Sequence, residues 1–353
     1  MTKKNNNTAI YIIIFLLFSI TLSCDYKIKS GNVILTEDLD SKEEGKYVYS
    51  RWQNNSHRNI KFNEKNGGSF EYNCPHLRTM KGLYQSNSLN LPLIYKACHE
   101  PIDRFKAPVV IWLHGGPFTY ASAENITAKD MFLKNGFTIV EPLYRGSHDR
   151  PWNFIGALGN LSSFLDTRHE IIELINFYKR NGRGIILVGD SFGGFIISSM
   201  LLELKKNDRV VILQAPLSSK LIKKQIYNPK IAIKENDVRI YNYLCKISKY
   251  KICNDYNKWF LQNTFESYSN FSPIINYKEQ KFAAQIYIIS GERDKVVGVE
   301  EAKSLAAAFP ETVHHLIVSD LGHEDISNIR QFNQIERFLA PVLALGNLKE
   351  HEK

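Results

Sequence analysis

The sequence predicts an α/β fold in which helices flank a mostly parallel β-sheet. Short, almost wholly apolar runs recur along the chain, as expected for strands that are covered on both faces. Segments with apolar residues at helical spacing separate these runs, and such alternation is typical of parallel strands joined by crossover helices. The clearest strand runs are Val109–Leu113, Ile185–Val188, Val210–Leu213 and Ile286–Ser290.

The stretch around Ser191 carries the strongest local signal. An apolar run leads into Gly189-Asp190-Ser191-Phe192-Gly193, a G-x-S-x-G motif, and a segment with helical potential follows at once. This strand–turn–helix context predicts a nucleophile elbow, a very tight turn that lifts the Ser191 hydroxyl above the sheet edge. Glycine is needed on both sides because a side chain there would clash with the turn.

The other elements follow in order along the chain. Two strand-like runs on either side of Asn87-Ser88 predict a hairpin. The remaining predicted strands are Arg78–Ser86, Leu91–Ala97, Phe137–Val140 and Leu316–Val318. The predicted helices are Ala123–Lys134, Leu165–Tyr178, Phe195–Leu204, Glu300–Phe309 and Ile329–Leu339.

Length and composition favour a single large domain. With 353 residues, 44% of them hydrophobic, the chain can bury one large core or two modest ones. Strand–helix alternation on both sides of Ser191 favours one α/β domain over residues 61–345. Residues 217–270 interrupt that alternation and are expected to form a helical lid-like insertion. Residues 24–60 are polar with little periodicity, so we expect a tether or a loosely ordered lead-in.

The N-terminus is typical of an export signal. Lys3 and Lys4 precede an uncharged apolar run, 9–22, which is shorter than the ~18 apolar residues of a membrane-spanning helix. The run ends before Cys24 and resembles a bacterial lipoprotein signal, in which the cysteine becomes the lipidated first residue. We therefore expect a signal peptide over 1–23 and an exported protein, lipid-anchored in the cell envelope on the periplasmic or extracellular side. Ordinary cleavage nearby and an uncleaved membrane anchor are the alternatives.

The other cysteines leave two alternatives open. An even count in an exported protein is compatible with two disulfides, and local pairing of Cys74 with Cys98 and of Cys245 with Cys253 is simplest. Four buried or free thiols are the alternative. No C-x-x-C or H-x-x-H spacing occurs, so neither a metal nor a cofactor is expected.

The charge pattern argues against a nucleic-acid partner. The net charge is +9, from 45 basic and 36 acidic residues, but the basic residues are scattered. Nucleic-acid binding usually needs a basic stripe with interleaved aromatic residues, which the sequence lacks. Weak attraction to an anionic membrane surface and a plain solvated surface are the two interpretations of the excess charge.

Two loops downstream of Ser191 contain the residues that a serine nucleophile needs. Its hydroxyl must give a proton to a histidine, and a carboxylate must orient that histidine. Asp294 follows the apolar run 286–290, and His323 follows the run 316–318, in the chain order Ser, Asp, His that is typical of such sheets. Both loops should open on the same sheet edge as the elbow. The weaker alternatives are Asp190, Glu292, Asp320, His314 and His315.

Donors for a developing oxyanion are also predicted. One is the backbone N–H of Phe192, directly after the nucleophile, and the other comes from the loop that follows Val109–Leu113. In that loop, Gly115 and Gly116 would let backbone amides approach a substrate.

Taken together, these motifs resemble the catalytic domain of the prolyl oligopeptidase family of serine peptidases, a group with the α/β-hydrolase fold. The matching residues are His114-Gly115-Gly116-Pro117, Tyr144-Arg145-Gly146-Ser147, Gly189 to Gly194, Ser272-Pro273, Gly291-Glu292-Arg293-Asp294 and Gly322-His323. The resemblance implies Ser191 as nucleophile, Asp294 as orienting acid and His323 as base. About fifty residues between the signal and the hairpin are too few for the β-propeller that such peptidases usually carry.

Three functions are therefore weighed. The first is a serine hydrolase that cleaves peptide bonds through an acyl-enzyme, with a peptide or small acyl compound as substrate. The second is a carboxylesterase of the same fold that acts on small esters or acylated sugars. The third is a non-catalytic surface protein that keeps the fold for binding, which the presence of all three triad residues disfavours.

Overall fold

A computed structural model describes residues 32–35, 78–86, 89–97, 108–115, 126–145, 147, 161–217, 281–323, 326 and 328–346. Its strands are β1 (Asn32–Leu35), β2 (Arg78–Ser86), β3 (Leu89–Ala97), β4 (Val109–Leu113), β5 (Thr138–Pro142), β6 (Ile185–Asp190), β7 (Arg209–Leu213), β8 (Gln285–Gly291) and β9 (Val313–Val318). Its helices are α1 (Ile126–Lys134), α2 (Leu161–Arg180), α3 (Phe192–Ser198), α4 (Glu300–Ala308), α5 (Ile329–Phe338) and α6 (Ala340–Leu343), with a 3₁₀ turn at Leu201–Glu203.

The strands of the described residues form one sheet in the order β1-β2-β3-β5-β4-β6-β7-β8-β9. From β5 to β9 every neighbouring pair in that order is parallel, whereas β1, β2 and β3 pair antiparallel. All residues of β4 and β6 are buried, because helices cover both faces of the central sheet. The predicted mostly parallel sheet flanked by helices is confirmed.

In the described part of the chain, two large apolar clusters make up most of the core, one on each face of the sheet, beside a small cluster of Ile94 and Leu143. Side chains of α2, α3 and α4 pack in one cluster, and those of α1, α5 and α6 pack in the other. Alternate residues of β4 belong to opposite clusters: Ile111 faces the first, and Val110 and Trp112 face the second. The sheet is therefore held from both sides, and its strand ends are fixed supports for the loops that follow.

Several element boundaries differ from the sequence prediction. The helix after the elbow begins at Phe192 instead of Phe195, and it ends at Ser198, so the apolar segment up to Leu204 finishes in a 3₁₀ turn. The last strand begins at Val313 and so includes His314 and His315. Helix α6 was not predicted.

The segment 24–60, predicted to be a polar tether, requires a correction at residues 32–35. These residues form β1, which pairs antiparallel with β2. The physical reason is the run Val33-Ile34-Leu35, which is apolar and rich in β-branched residues, inside an otherwise polar segment. The rest of 24–60, the signal 1–23, Cys24, Cys74, Cys98, Cys245, Cys253 and the predicted lid over 218–270 lie outside the described residues. Of the helices that the structure describes, none has the length and apolarity to cross a bilayer.

A buried ionic cluster joins the antiparallel and parallel parts of the sheet. Lys96 of β3 and Lys129 of α1 both donate to Oε1 of Glu141 in β5, at 2.9 and 2.8 Å. All three side chains are almost fully buried. Burial alone would raise the pKa of the Glu141 carboxyl, but Lys129 and Lys96 outweigh it and hold that pKa below its usual value.

Replacing Glu141 should destabilise the protein strongly. In Glu141→Gln two buried ammonium groups would lose their counter-charge, and breaking a buried ion pair typically costs about 3–5 kcal/mol. Urea denaturation should show that loss in the free energy of unfolding. The matched control is Glu336→Gln, because Glu336 pairs with Lys134 at a partly exposed position where such a pair contributes at most about 1 kcal/mol. Equal losses in the two variants would contradict the importance of the cluster.

Candidate active site

The turn between β6 and α3 holds Ser191 in a strained backbone conformation. Its φ is 45° and its ψ is −112°, a region that residues other than glycine rarely adopt. The Ser191 N–H donates to the carbonyl of Leu213 at the end of β7, at 2.9 Å. The hydroxyl therefore stands at the carboxyl edge of the sheet, directly before the first residue of α3.

Close approach of the surrounding backbone explains the glycines of the motif. A Cβ atom on Gly189 would lie 2.6 Å from the Cα of Gly194, which is closer than van der Waals contact allows. A Cβ atom on Gly193 would overlap the carbonyl of Leu113 at the end of β4. The elbow and the loop after β4 are thus packed backbone against backbone.

The structure brings together the three side chains that the sequence predicts as a triad. Ser191 Oγ lies 3.1 Å from Nε2 of His323, and Nδ1 of His323 lies 2.8 Å from Oδ2 of Asp294. These residues follow β6, β9 and β8, so three separate loops meet at one edge of the sheet. Because a carboxylate oxygen accepts, Nδ1 carries the proton, and the free lone pair of Nε2 accepts from the Ser191 hydroxyl.

Asp294 is held by its own loop. Its Oδ1 accepts from the backbone N–H groups of Val296 and Val297, each at 2.7 Å, while Oδ2 is left to His323. The Asp294 side chain is fully buried, whereas that of His323 is 23% exposed. The carboxylate is therefore oriented and shielded from water, while the imidazole stays accessible to a substrate.

The acid loop and the histidine loop are also bonded to each other. The N–H of Arg293 donates to the carbonyl of Leu321 at 3.0 Å, and a Cβ atom on Gly291 would overlap that same carbonyl. Gln214, which follows β7, donates through Nε2 to the carbonyl of Gly322, next to His323. Sequence reasoning missed Gln214; its position directly after a buried strand, at the same edge as the elbow, was the available signal.

The weaker alternatives for the acid and the base lie elsewhere. Asp320 pairs with Arg293, and Glu292 is exposed. His314 and His315 are half-buried on β9, where they contact Gln285 and Ser290. The carboxylate of Asp294, by contrast, lies 2.8 Å from Nδ1 of His323.

The structure describes two of the three residues that were predicted to supply oxyanion donors, Phe192 and Gly115. Phe192 is the first residue of α3, so its N–H has no acceptor within the helix and lies beside the nucleophile. Gly115 is buried two residues after the end of β4. Gly116 lies outside the described residues. Among the residues that the structure describes, no group of three His, Cys, Asp or Glu side chains is arranged to hold a metal.

His114 holds the start of the loop after β4, a role that the sequence did not predict. Its Nδ1 lies 2.6 Å from the carbonyl of Gly115 and its Nε2 lies 2.7 Å from Oγ of Ser147. The Tyr144 ring stacks on it at 4.3 Å, and the Tyr144 hydroxyl donates to the His114 carbonyl at 2.7 Å. Arg145 lies between Tyr144 and Ser147 in the sequence. It pairs with Asp166 and Glu170 of α2, which stabilises the loop after β5.

Protonation of His114 is disfavoured in the folded chain. Burial lowers the pKa of His114 from 6.5 to about 4, against the opposing effect of its hydrogen bond with the Gly115 backbone. The Gly115 carbonyl can only accept, and the Ser147 hydroxyl, whose oxygen lies 2.7 Å from Nε2, donates to the carbonyl of Tyr144 at 2.7 Å.

Acid should destabilise the protein through this residue. Between pH 6.5 and about 4 the unfolded chain binds a proton at His114 that the folded chain does not. The free energy of unfolding should therefore fall as pH drops through this range, by about 3 kcal/mol from this group. Urea denaturation at a series of pH values should show a shallower dependence for His114→Gln than for the wild type. Equal dependences would contradict the assignment.

Comparisons with known proteins identify the fold. No protein-family model and no curated protein matches the sequence. Among solved structures, the chain is similar to prolyl oligopeptidase B from Galerina marginata, with a TM-score of 0.54 and 15% identity over 78% of this chain and 38% of that one. It is also similar to a post-proline cleaving enzyme from Rickettsia typhi, with a TM-score of 0.53 and 13% identity over 78% and 38% of the two chains.

A third similar structure is the acylaminoacyl peptidase of Pyrococcus horikoshii, with a TM-score of 0.51 and 18% identity over 79% of this chain and 43% of that one. The chain spans about two fifths of the length of these three solved proteins. The sheet order, the flanking helices and these likenesses agree with the sequence resemblance. The chain has the α/β-hydrolase fold.

Proposed function

We propose that this chain is a serine hydrolase that cleaves peptide bonds through an acyl-enzyme. The observation that carries the proposal is the continuous relay from Ser191 Oγ to His323 at 3.1 Å and from His323 to Asp294 at 2.8 Å. A hydroxyl, a neutral imidazole and a buried carboxylate in this order are what nucleophilic acyl transfer requires.

Each residue of the relay has one task in the proposed reaction. Ser191 Oγ attacks the substrate carbonyl carbon while its proton passes to Nε2 of His323, and Asp294 stabilises the imidazolium that forms. Collapse of the tetrahedral intermediate expels the amine, which takes the proton from His323. Water then attacks the acyl ester and gives a proton to His323, and His323 returns that proton to Ser191 Oγ as the acid is released.

The negative charge of the intermediate needs donors beside the nucleophile. The N–H of Phe192 and a backbone amide of the loop after β4, at Gly115 or Gly116, are the proposed pair. Losing one such donor typically costs about 3–4 kcal/mol of transition-state stabilisation. The contacts of His114 with Tyr144 and Ser147 support the proposal because they hold the start of the loop that is proposed to supply the second donor.

Peptide bonds are favoured because the similar solved proteins are described as an acylaminoacyl peptidase, a prolyl oligopeptidase B and a post-proline cleaving enzyme. The same relay also serves a carboxylesterase, which is the second candidate. Turnover of a nitrophenyl ester and of the anilide with the same acyl group would separate them, and hydrolysis of the ester alone would remove the peptidase assignment.

The proposal extends to the location of the protein. We propose export through the signal 1–23 and lipid attachment at Cys24, on the strength of the sequence pattern. In that case Cys24→Ala should move the protein from the membrane fraction to the soluble fraction of the cell envelope. Disulfides between Cys74 and Cys98 and between Cys245 and Cys253 remain predictions.

Replacing the nucleophile should abolish activity. Ser191→Ala removes the attacking oxygen, and such changes lower kcat by roughly 10⁴-fold or more. A fluorophosphonate probe should label the wild type but not the variant. Ser304→Ala is the control, because that hydroxyl is exposed on α4 and donates to the Glu300 carbonyl. A folded wild type that resists the probe would overturn the mechanism, and a biological phenotype that survives Ser191→Ala would favour a binding role.

Replacing the acid should preserve the fold but slow the chemistry. Asp294→Asn leaves a side-chain oxygen for Val296 and Val297, yet its amide favours the wrong His323 tautomer, and kcat should fall by roughly 10³–10⁴-fold. Asp320→Asn is the matched control, since Asp320 pairs with Arg293 and does not bond to the histidine. Steady-state kinetics on one substrate would measure both. Similar losses in the two variants would mean that the acid is wrongly assigned.

A further inference from the structure

The N-terminal strand β1 determines where the preceding chain meets the domain. Its first residue, Asn32, pairs with Gln85 near the end of β2, and its last, Leu35, pairs with Gly82. Among the strands that the structure describes, β1 is therefore an edge of the same sheet that carries the candidate active site.

The strand directions show at which end of the sheet the chain enters. β3 runs antiparallel to β5, β2 antiparallel to β3, and β1 antiparallel to β2. Three reversals make β1 run opposite to the parallel strands in the strand order, so its beginning belongs to the same edge of the twisted sheet as their carboxyl ends. Those ends carry Ser191, Asp294 and His323. The chain thus reaches the sheet from the active-site edge.

The distance along the chain from Cys24 to Asn32 is short. Eight residue steps separate them, and a fully extended chain of that length reaches at most ~29 Å. Across the sheet, five strand spacings from β1 to β6 place the strand of Ser191 about 24 Å from β1. Along the strands, the six residues of β6 span about 20 Å. If the chain from Cys24 to Asn32 ran along the sheet to the opposite edge, about 20 Å of its ~29 Å maximum length would be used, and only ~9 Å would remain to reach the bilayer.

The geometry points to a protein whose active-site edge faces the bilayer to which Cys24 is anchored, and whose substrate is an acyl or peptidyl group carried at the membrane surface. This inference rests on the proposed hydrolase activity and on the lipid at Cys24. The net charge is +9 for the full sequence and +7 once Lys3 and Lys4 are removed with the signal, and this positive charge is compatible with a position close to anionic headgroups.

The orientation can be tested without any activity measurement. Two variants of the full-length protein are expressed in bacteria. A benzophenone amino acid replaces Lys295 in one variant and Lys206 in the other. Both lysines are exposed: Lys295 lies in the acid loop at the active-site edge, and Lys206 lies in the turn before β7 at the opposite edge. Irradiation should attach several-fold more phospholipid at position 295, and adding Cys24→Ala should abolish attachment at both. Equal or greater attachment at position 206, or none at either position, would overturn the inference.

The substrate class requires a second experiment in vesicles. A flexible 24-residue Gly/Ser segment inserted after Ile28 lengthens the link and lowers the effective concentration of the active site at the surface. Turnover of a long-chain ester embedded in the vesicles should fall about fivefold or more, while turnover of a soluble nitrophenyl ester should stay within about twofold. Unchanged turnover of the embedded ester would overturn the membrane-borne substrate.

The failure of the proposed function would look different. If the wild type hydrolyses neither ester and resists the fluorophosphonate probe, the hydrolase assignment fails, and the substrate class fails with it. The crosslinking result would still decide whether the edge of Ser191 faces the membrane.

Discussion

The candidate active site depends on the turn at Ser191, where φ is 45°. This turn joins the fully buried strand β6 to helix α3, which is buried over 193–198. Such a conformation costs about 1–3 kcal/mol and persists only where the surroundings leave no alternative. Here the surroundings are backbone: Gly193 lies against the end of β4, and the Ser191 N–H bonds to the end of β7. The core on both faces of the sheet thus supplies the rigidity that keeps the Ser191 hydroxyl pointing out of the edge.

Charges near the site are neutralised by two different means. Asp294 is satisfied by the amides of Val296 and Val297 and by the imidazole, so its charge is available to the imidazolium that forms during catalysis. Glu141 instead lies between two buried lysines, Lys96 of β3 and Lys129 of α1. The difference follows from position: a carboxylate in a loop can be solvated by that loop's own N–H groups, whereas one within a strand depends on side chains from other elements.

Much of the fold could be predicted because its signals are local. Val109–Leu113 is observed with the predicted bounds, and the elbow follows from a glycine pattern within five residues. The triad needed one further rule, that parallel strands end at a common edge. The contact of Gln214 with the Gly322 carbonyl and the pairing of His114 with Tyr144 could not be predicted, since they depend on which loops touch and on how far side chains reach across strands. Residues 32–35 were assigned to the polar tether because an apolar run within four residues is too short to be recognised as a strand when polar residues flank it.

Strand β1 also determines from which edge of the sheet an N-terminal anchor would extend, because each additional antiparallel strand reverses the edge at which the chain enters. If the sheet began at β2, the chain would enter from the edge opposite to Ser191, because β2 runs in the direction of the parallel strands. One additional antiparallel strand reverses the point of entry without moving any residue of the relay. Addition of strands at the antiparallel end of such a sheet is therefore a simple way to reorient a catalytic edge relative to an N-terminal attachment point. The parallel strands that build the site remain untouched, because β1 contacts the sheet only through β2 in the strand order of the described residues.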